Sequence, residues 1–65
     1  MKFADLVRSK GYTAKQLADK AGISIRTLEA YYSGKRSIKR CRADLFIAFT
    51  KILDVTPDEL LSVDD

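Results

Sequence analysis

Apolar residues recur at helical spacing along the chain, in short segments that glycine or helix-capping residues separate. The first segment covers residues 2–10, where Phe3, Leu6 and Val7 share one face and Gly11 follows as a stop signal. Further helices are predicted from residue 13 onward, over residues 25–33, over residues 41–53 and after a proline at position 57. The pattern therefore predicts an all-α fold, a compact bundle of about five short helices around one small core.

Residues 13–34 carry the start and stop signals of two short helices joined by a tight turn. Thr13 and Gln16 have the spacing of a capping box at the start of the first helix. Gly22 stands where that helix must end in a left-handed conformation, and Ser24 is placed to cap the next helix. Two helices of this length followed by a basic segment form the arrangement that places one helix in the DNA major groove.

The net charge of +3 hides an uneven distribution along the chain. Residues 26–42 contain six basic side chains and a single acid, Glu29, whereas residues 43–65 contain one basic side chain and six acids. A basic block directly after a pair of helices is an electrostatic footprint for phosphate groups. Taken alone, the same charge would be explained equally well by a solvated surface rich in basic residues.

The third predicted helix, over residues 25–33, has a small and polar outward face. At 100° per residue, Leu28 and Tyr31 fall on the inward side of this helix. The outward side carries Arg26, Glu29, Ala30 and Ser33. An arginine near the start of such a helix can hold a guanine through two hydrogen bonds. We favour a base or phosphate contact for this arginine over an ion pair with the glutamate three residues later.

Ile25 and Thr27, at the start of this helix, can each be interpreted in two ways. Ile25 could contact a thymine methyl group, or it could cover the edge of the core. Thr27 could donate a hydrogen bond to a phosphate, or it could support the helix cap. The sequence alone does not separate these alternatives.

Length and composition exclude several classes of protein. Sixty-five residues make one domain, residues 1–65, with a core near the lower size limit for independent folding. The chain has no histidine and a single cysteine, and its glycines form no phosphate-binding loop. We therefore expect no metal site, no cofactor and no enzyme activity. The longest apolar run, residues 45–49, is too short for a bilayer and no signal-peptide pattern is present, so we expect a cytoplasmic protein without a membrane partner or small-molecule ligand.

The chain resembles the Xre/Cro-type helix-turn-helix family, the lambda-repressor-like DNA-binding domains, over nearly its whole length. The resemblance rests on LADKAGIS at residues 17–24, RTLEAYYSGKR at residues 26–36 and ILDVTPDELL at residues 52–61. It implies a five-helix fold that binds an operator. The DNA-contacting positions that it implies are Lys15, Gln16, Ser24, Ile25, Arg26, Thr27, Ala30, Ser33, Lys35 and Arg36. The basic loop that follows adds Lys39 and Arg40.

The chain departs from the family pattern at three positions. Many relatives pair an arginine in helix one with a glutamate late in helix three, and the matching positions here are Val7 and Tyr32. Because both partners are changed together, no buried charge is left unpaired, and we expect an apolar contact in place of the ion pair. The position of Ile25 is often polar in relatives, so the resemblance does not carry base recognition over to it.

The predicted fourth helix has a second apolar stripe. If residues 46, 49, 50 and 53 face the core, then Leu45, Ala48 and Ile52 lie well away from it. An exposed apolar stripe is a candidate subunit interface, and a symmetric pair of copies would match a palindromic operator. The other interpretation is that the fifth helix or the loop at residues 37–40 covers the stripe.

Together these patterns predict a sequence-specific transcriptional regulator, a repressor, that binds double-stranded DNA as a homodimer. The alternative is a helical protein-binding module, antitoxin-like or an adaptor, that uses the apolar face of the fourth helix as its main surface. DNA binding requires the third helix and the loop cations to lie on one continuous face. The protein-binding alternative requires only that the apolar stripe is exposed.

Overall fold

Five α-helices, joined by short turns, make up most of the computed structural model, which describes residues 2–64. The helices are α1 (Phe3–Ser9), α2 (Ala14–Ala21), α3 (Ile25–Tyr32), α4 (Ala43–Leu53) and α5 (Pro57–Leu61), with 3-10 turns at Ile38–Arg40 and Ser62–Asp64. The described residues contain no β-strand, so the predicted all-α fold is confirmed. No helix among them is long and apolar enough to cross a membrane.

Local capping sets the start of each helix in the helix-turn-helix unit. At α2, the backbone N–H of Gln16 donates to Thr13 Oγ1 at 3.1 Å, and the N–H of Thr13 donates to Gln16 Oε1 at 3.0 Å. At α3, the N–H of Thr27 donates to Ser24 Oγ at 3.2 Å. Gly22, at the end of α2, has φ 72°, which is the left-handed conformation predicted there. The predicted helix-turn-helix is therefore present.

One aromatic side chain, Phe49 of α4, joins three helices at the centre of the core. It is fully buried, and its ring centre lies 5.3 Å from that of Phe3 on α1 and 6.4 Å from that of Tyr31 on α3. These separations fall in the range in which tilted and edge-on aromatic pairs attract each other. The core therefore contacts α3 through Tyr31, and the opposite side of that helix is left exposed.

The side of α4 that packs on the core differs from the predicted side. Leu45, expected on a stripe away from the core, is 9% exposed and belongs to the core together with Phe49 and Leu53. Ala48 and Ile52, the other members of the stripe, are half-buried. Residues 45–49 are all apolar, so periodicity does not fix the rotation of this helix, and its packing against α2 and α5 does. The predicted exposed stripe, on which the protein-binding alternative depends, is therefore wrong at Leu45.

The start of α4 is also later than predicted. The sequence pattern placed it at residue 41, but residues 38–40 form a 3-10 turn and the helix begins at Ala43. Arg42 precedes it with an extended backbone, at φ −63° and ψ 148°. The side chain of Asp44 accepts a hydrogen bond from the N–H of Leu45 at 2.9 Å. This bond pairs one of the backbone N–H groups that have no partner within the first turn of a helix.

An arginine and a tyrosine connect α1 with α3. Val7 is fully buried, and Tyr32 is half-buried against the core. The guanidinium carbon of Arg8 lies 5.9 Å from the centre of the Tyr32 ring, within the range of a cation–π interaction. The position at which many relatives of the resembled family carry a glutamate is thus occupied by an aromatic ring, which still attracts a cation from α1.

Candidate nucleic-acid interface

The outer face of α3 is held toward solvent by the burial of its inner face. Leu28 and Tyr31 are buried, as their spacing predicted. On the opposite side Arg26, Glu29 and Ser33 are exposed, and Ala30 is half-buried. No ion pair joins Arg26 to Glu29 within the part of the chain that the structure describes. The helix therefore presents a guanidinium among small and polar side chains.

A groove of about 510 Å³ runs from the start of α3 to the start of α4. We call it the α3 groove. Its lining includes the hydroxyl-bearing Ser24, Thr27 and Tyr31, the guanidinium-bearing Arg36, Arg40 and Arg42, and one acid, Asp44. The structure therefore brings the first turn of α3 next to cations that lie up to 18 positions further along the chain. Hydroxyl and guanidinium groups are donors suited to phosphate oxygens.

A second depression of about 730 Å³, the loop groove, lies beside the end of α3. Gly34, Lys35, Arg36 and Arg40 line it, and Tyr31 forms part of its floor. Because Tyr31, Arg36 and Arg40 border both grooves, the two depressions lie side by side and their linings form one contiguous surface. We call six of their polar residues the basic face: Ser24, Thr27, Lys35, Arg36, Arg40 and Arg42.

The basic loop is anchored to the core by an apolar residue in its middle. Ile38 is 1% exposed, and the 3-10 turn that contains it packs against α5. At the other end of the loop, the N–H of Arg36 donates to the carbonyl of Ala30 at 2.9 Å, across a turn in which Gly34 has φ 87°. A side chain at position 34 would meet no atom within 4 Å, so the constraint on this glycine is its backbone conformation. The two attachments hold the loop cations against the end of α3.

A family model described as a Cro/C1-type HTH DNA-binding domain matches residues 2–65. The chain belongs to this family. The comparison with curated proteins and the comparison with solved structures each found no match. The family match confirms the resemblance, and it assigns the helix-turn-helix unit to DNA binding.

Within this Cro/C1-type domain, the expected contact residues fall into three groups. Ser24, Thr27, Lys35, Arg36 and Arg40 belong to the basic face. Ile25, Arg26, Ala30 and Ser33 lie along the exposed sides of α3. Lys15, Gln16 and Lys39 line neither groove, although all three are exposed.

Gln16 has a structural role that limits what its side chain can do at a DNA surface. Its Oε1 already accepts the N–H of Thr13 in the capping box. The Nε2 group takes no part in that motif, and its two N–H bonds are donors. The capping box thus leaves the Nε2 group to donate to DNA, which suits a phosphate oxygen.

Sequence reasoning gave no individual role to two residues of this site, Arg42 and Ile38, although Arg42 belongs to the basic block of residues 26–42. Arg42 lines the α3 groove, and its Nη2 lies 3.2 Å from Asp44 Oδ2, in an ion pair whose two side chains are 83% and 70% exposed. The sequence pattern predicts Arg42 inside the fourth helix, whereas α4 begins at Ala43. Ile38 is the one apolar residue between positions 33 and 40, and that isolation was the available signal for an anchored loop.

Proposed function

We propose that this Cro/C1-type domain is a cytoplasmic transcriptional regulator that binds a specific double-stranded DNA operator and acts as a repressor. The observation that carries the proposal is the basic face, because it joins the first turn of α3 to the loop cations in one continuous surface. Operator binding needs this continuity, since the helix in the major groove and the phosphates beside it must be contacted together.

The proposal divides the contacts between two surfaces. Phosphate groups are contacted by the basic side chains of the basic face, Lys35, Arg36, Arg40 and Arg42. These contacts set the affinity and the position of the protein on the duplex but do not depend on the base sequence. Arg26, on the exposed side of α3, contacts a guanine in the major groove. Its exposure and the absence of an ion pair with Glu29 among residues 2–64 support this role over a structural one.

Two copies on a palindromic operator are part of the proposal. With eight residues, α3 is about 12 Å long, which matches only about four base pairs at 3.4 Å each. A site this short recurs too often in a genome to direct a regulator, whereas two half-sites double the sequence that is read. The exposed Ile47 on α4, with 52% of its surface accessible, and the half-buried Ile52 are the apolar residues we assign to the contact between copies.

Selection from a random duplex library tests this function with the full chain. We expect enrichment of an inverted repeat whose half-site centres lie about 10–10.5 base pairs apart, or a multiple of that spacing. Repression would follow from occupancy alone when the enriched site overlaps a promoter, and a reporter gene downstream of that site measures it. Recovery of no enriched sequence would refute the proposed function. Enrichment of single half-sites would refute the homodimer and retain DNA binding.

A further inference from the structure

One side chain on α3 is apolar and exposed, and it lies outside the core. Ile25 is the first residue of the helix and is 40% exposed. It is absent from the core and from the half-buried residues that pack on the core, whereas Ile23, two positions earlier, is among them. The structure therefore does not support the interpretation that Ile25 covers the edge of the core.

The hydroxyl groups beside Ile25 are hydrogen-bonded to each other within the helix cap. Ser24 Oγ and Thr27 Oγ1 lie 2.9 Å apart in a hydrogen bond, and Ser24 Oγ also accepts the N–H of Thr27. The two hydroxyls are thus bonded to each other, and one hydroxyl hydrogen stays available to a phosphate oxygen. The same turn of α3 also exposes the methyl groups of Ile25 and the guanidinium of Arg26.

The major groove offers one apolar group to such a side chain, the C5-methyl of thymine. We infer that Ile25 recognises a thymine methyl in the operator, an inference that rests on the proposed function. Ile25 and Arg26 are one residue apart, about 1.5 Å along the helix axis, whereas base pairs are spaced about 3.4 Å apart. The two side chains therefore reach the same base pair or neighbouring ones, and the operator carries this thymine next to the guanine that Arg26 contacts.

Replacing single thymines by deoxyuridine tests the inference, because this removes the methyl group and keeps the base pairing. Each thymine of the enriched operator is replaced in turn, and affinity is measured for the full-length wild type. One position in each half-site should lose about fourfold in affinity, which corresponds to about 0.8 kcal/mol for one methyl-sized group removed from water. Ile25→Ala should bind the thymine and uracil duplexes equally at that position, and Ile25→Val should keep most of the difference.

The control variant is Leu61→Ala, which removes an exposed leucine of α5 that lines neither groove. It should keep the wild-type response to uracil at every position. The inference would be overturned if no thymine-to-uracil replacement lowered the affinity of the wild type. It would also be overturned if the replacement that weakens wild-type binding weakened Ile25→Ala binding equally. Unfolding of Ile25→Ala, seen as lost helical circular dichroism, would place Ile25 in the core and overturn it too. Failure to enrich any operator is a different result, because it refutes the proposed function itself.

Discussion

Removing Arg36 and Arg40 together should weaken binding to every DNA sequence and reduce its dependence on salt. These two residues border both grooves of the basic face, so they occupy its centre. Each arginine that neutralises a phosphate contributes about 0.9 to the slope of log affinity against log salt. The double variant Arg36→Ala/Arg40→Ala should therefore have a slope shallower by about 1.8.

The difference in slope also predicts how the affinity lost by the Arg36→Ala/Arg40→Ala variant changes with salt concentration. When salt rises fourfold, from about 50 to about 200 mM, the ratio of wild-type to variant affinity should fall about 12-fold. Fluorescence anisotropy with a labelled duplex of arbitrary sequence measures both constants at each salt concentration. An arbitrary duplex is suitable because phosphate contacts do not depend on sequence.

A matched double variant separates a local contact from a general charge effect. Lys10→Ala/Lys51→Ala removes the same net charge from two exposed lysines that line neither groove. It should change the slope little, because charges outside the interface are largely screened at these salt concentrations. An unchanged slope for Arg36→Ala/Arg40→Ala, or an equal change in the lysine variant, would refute the assignment of the basic face to phosphates.

Three further predictions test separate parts of the structure. Arg26→Ala should lose about 1–3 kcal/mol of binding free energy on the selected operator and little on random DNA, whereas Glu29→Ala should keep operator affinity; equal losses on both duplexes would reduce Arg26 to a phosphate contact. Asp54 ends α4 in the left-handed region at φ 55°, so Asp54→Gly should raise the free energy of unfolding by about 1 kcal/mol, and Gly22→Ala, at φ 72°, should lower it by about 1–2 kcal/mol. Urea denaturation measures both, and a destabilised Asp54→Gly would contradict the backbone argument. Ile47→Glu should shift complexes on a palindromic duplex from two copies to one in sedimentation, with helical circular dichroism unchanged; an unaltered stoichiometry would remove Ile47 from the contact between copies.

Short-range signals explain why much of the helix-turn-helix unit was predictable. The capping box of Thr13 and Gln16, the cap at Ser24 and the left-handed Gly22 each depend on residues within three or four positions. The inward residues of α3 were also predictable, because Leu28 and Tyr31 are large apolar side chains on one side of the helix, opposite Arg26 and Glu29. The pattern therefore fixed both the helices and the face that α3 presents.

The facing of α4 was not predictable in the same way. Its residues 45–49 are apolar on every side, so several rotations bury a similar apolar area, and only contact with α2 and α5 selects among them. Leu45 was misplaced for this reason. The anchoring of the loop at residues 37–40 was also hard to predict, because a single isoleucine among basic residues is a weak sign of burial. Ile38 is nevertheless buried and holds the neighbouring basic residues in place.

The sequence by itself determined the helices, their caps, the helix-turn-helix unit and the basic composition of the segment that follows α3, because these follow from nearest neighbours and from charge count. The tertiary structure decided which distant residues share a surface. Only packing around the core brings Arg42 and the loop cations beside Ser24 and Thr27, leaves Ile25 outside the core, and buries Leu45. These outcomes depend on how the helices fit against one another, which no periodicity within a single helix encodes.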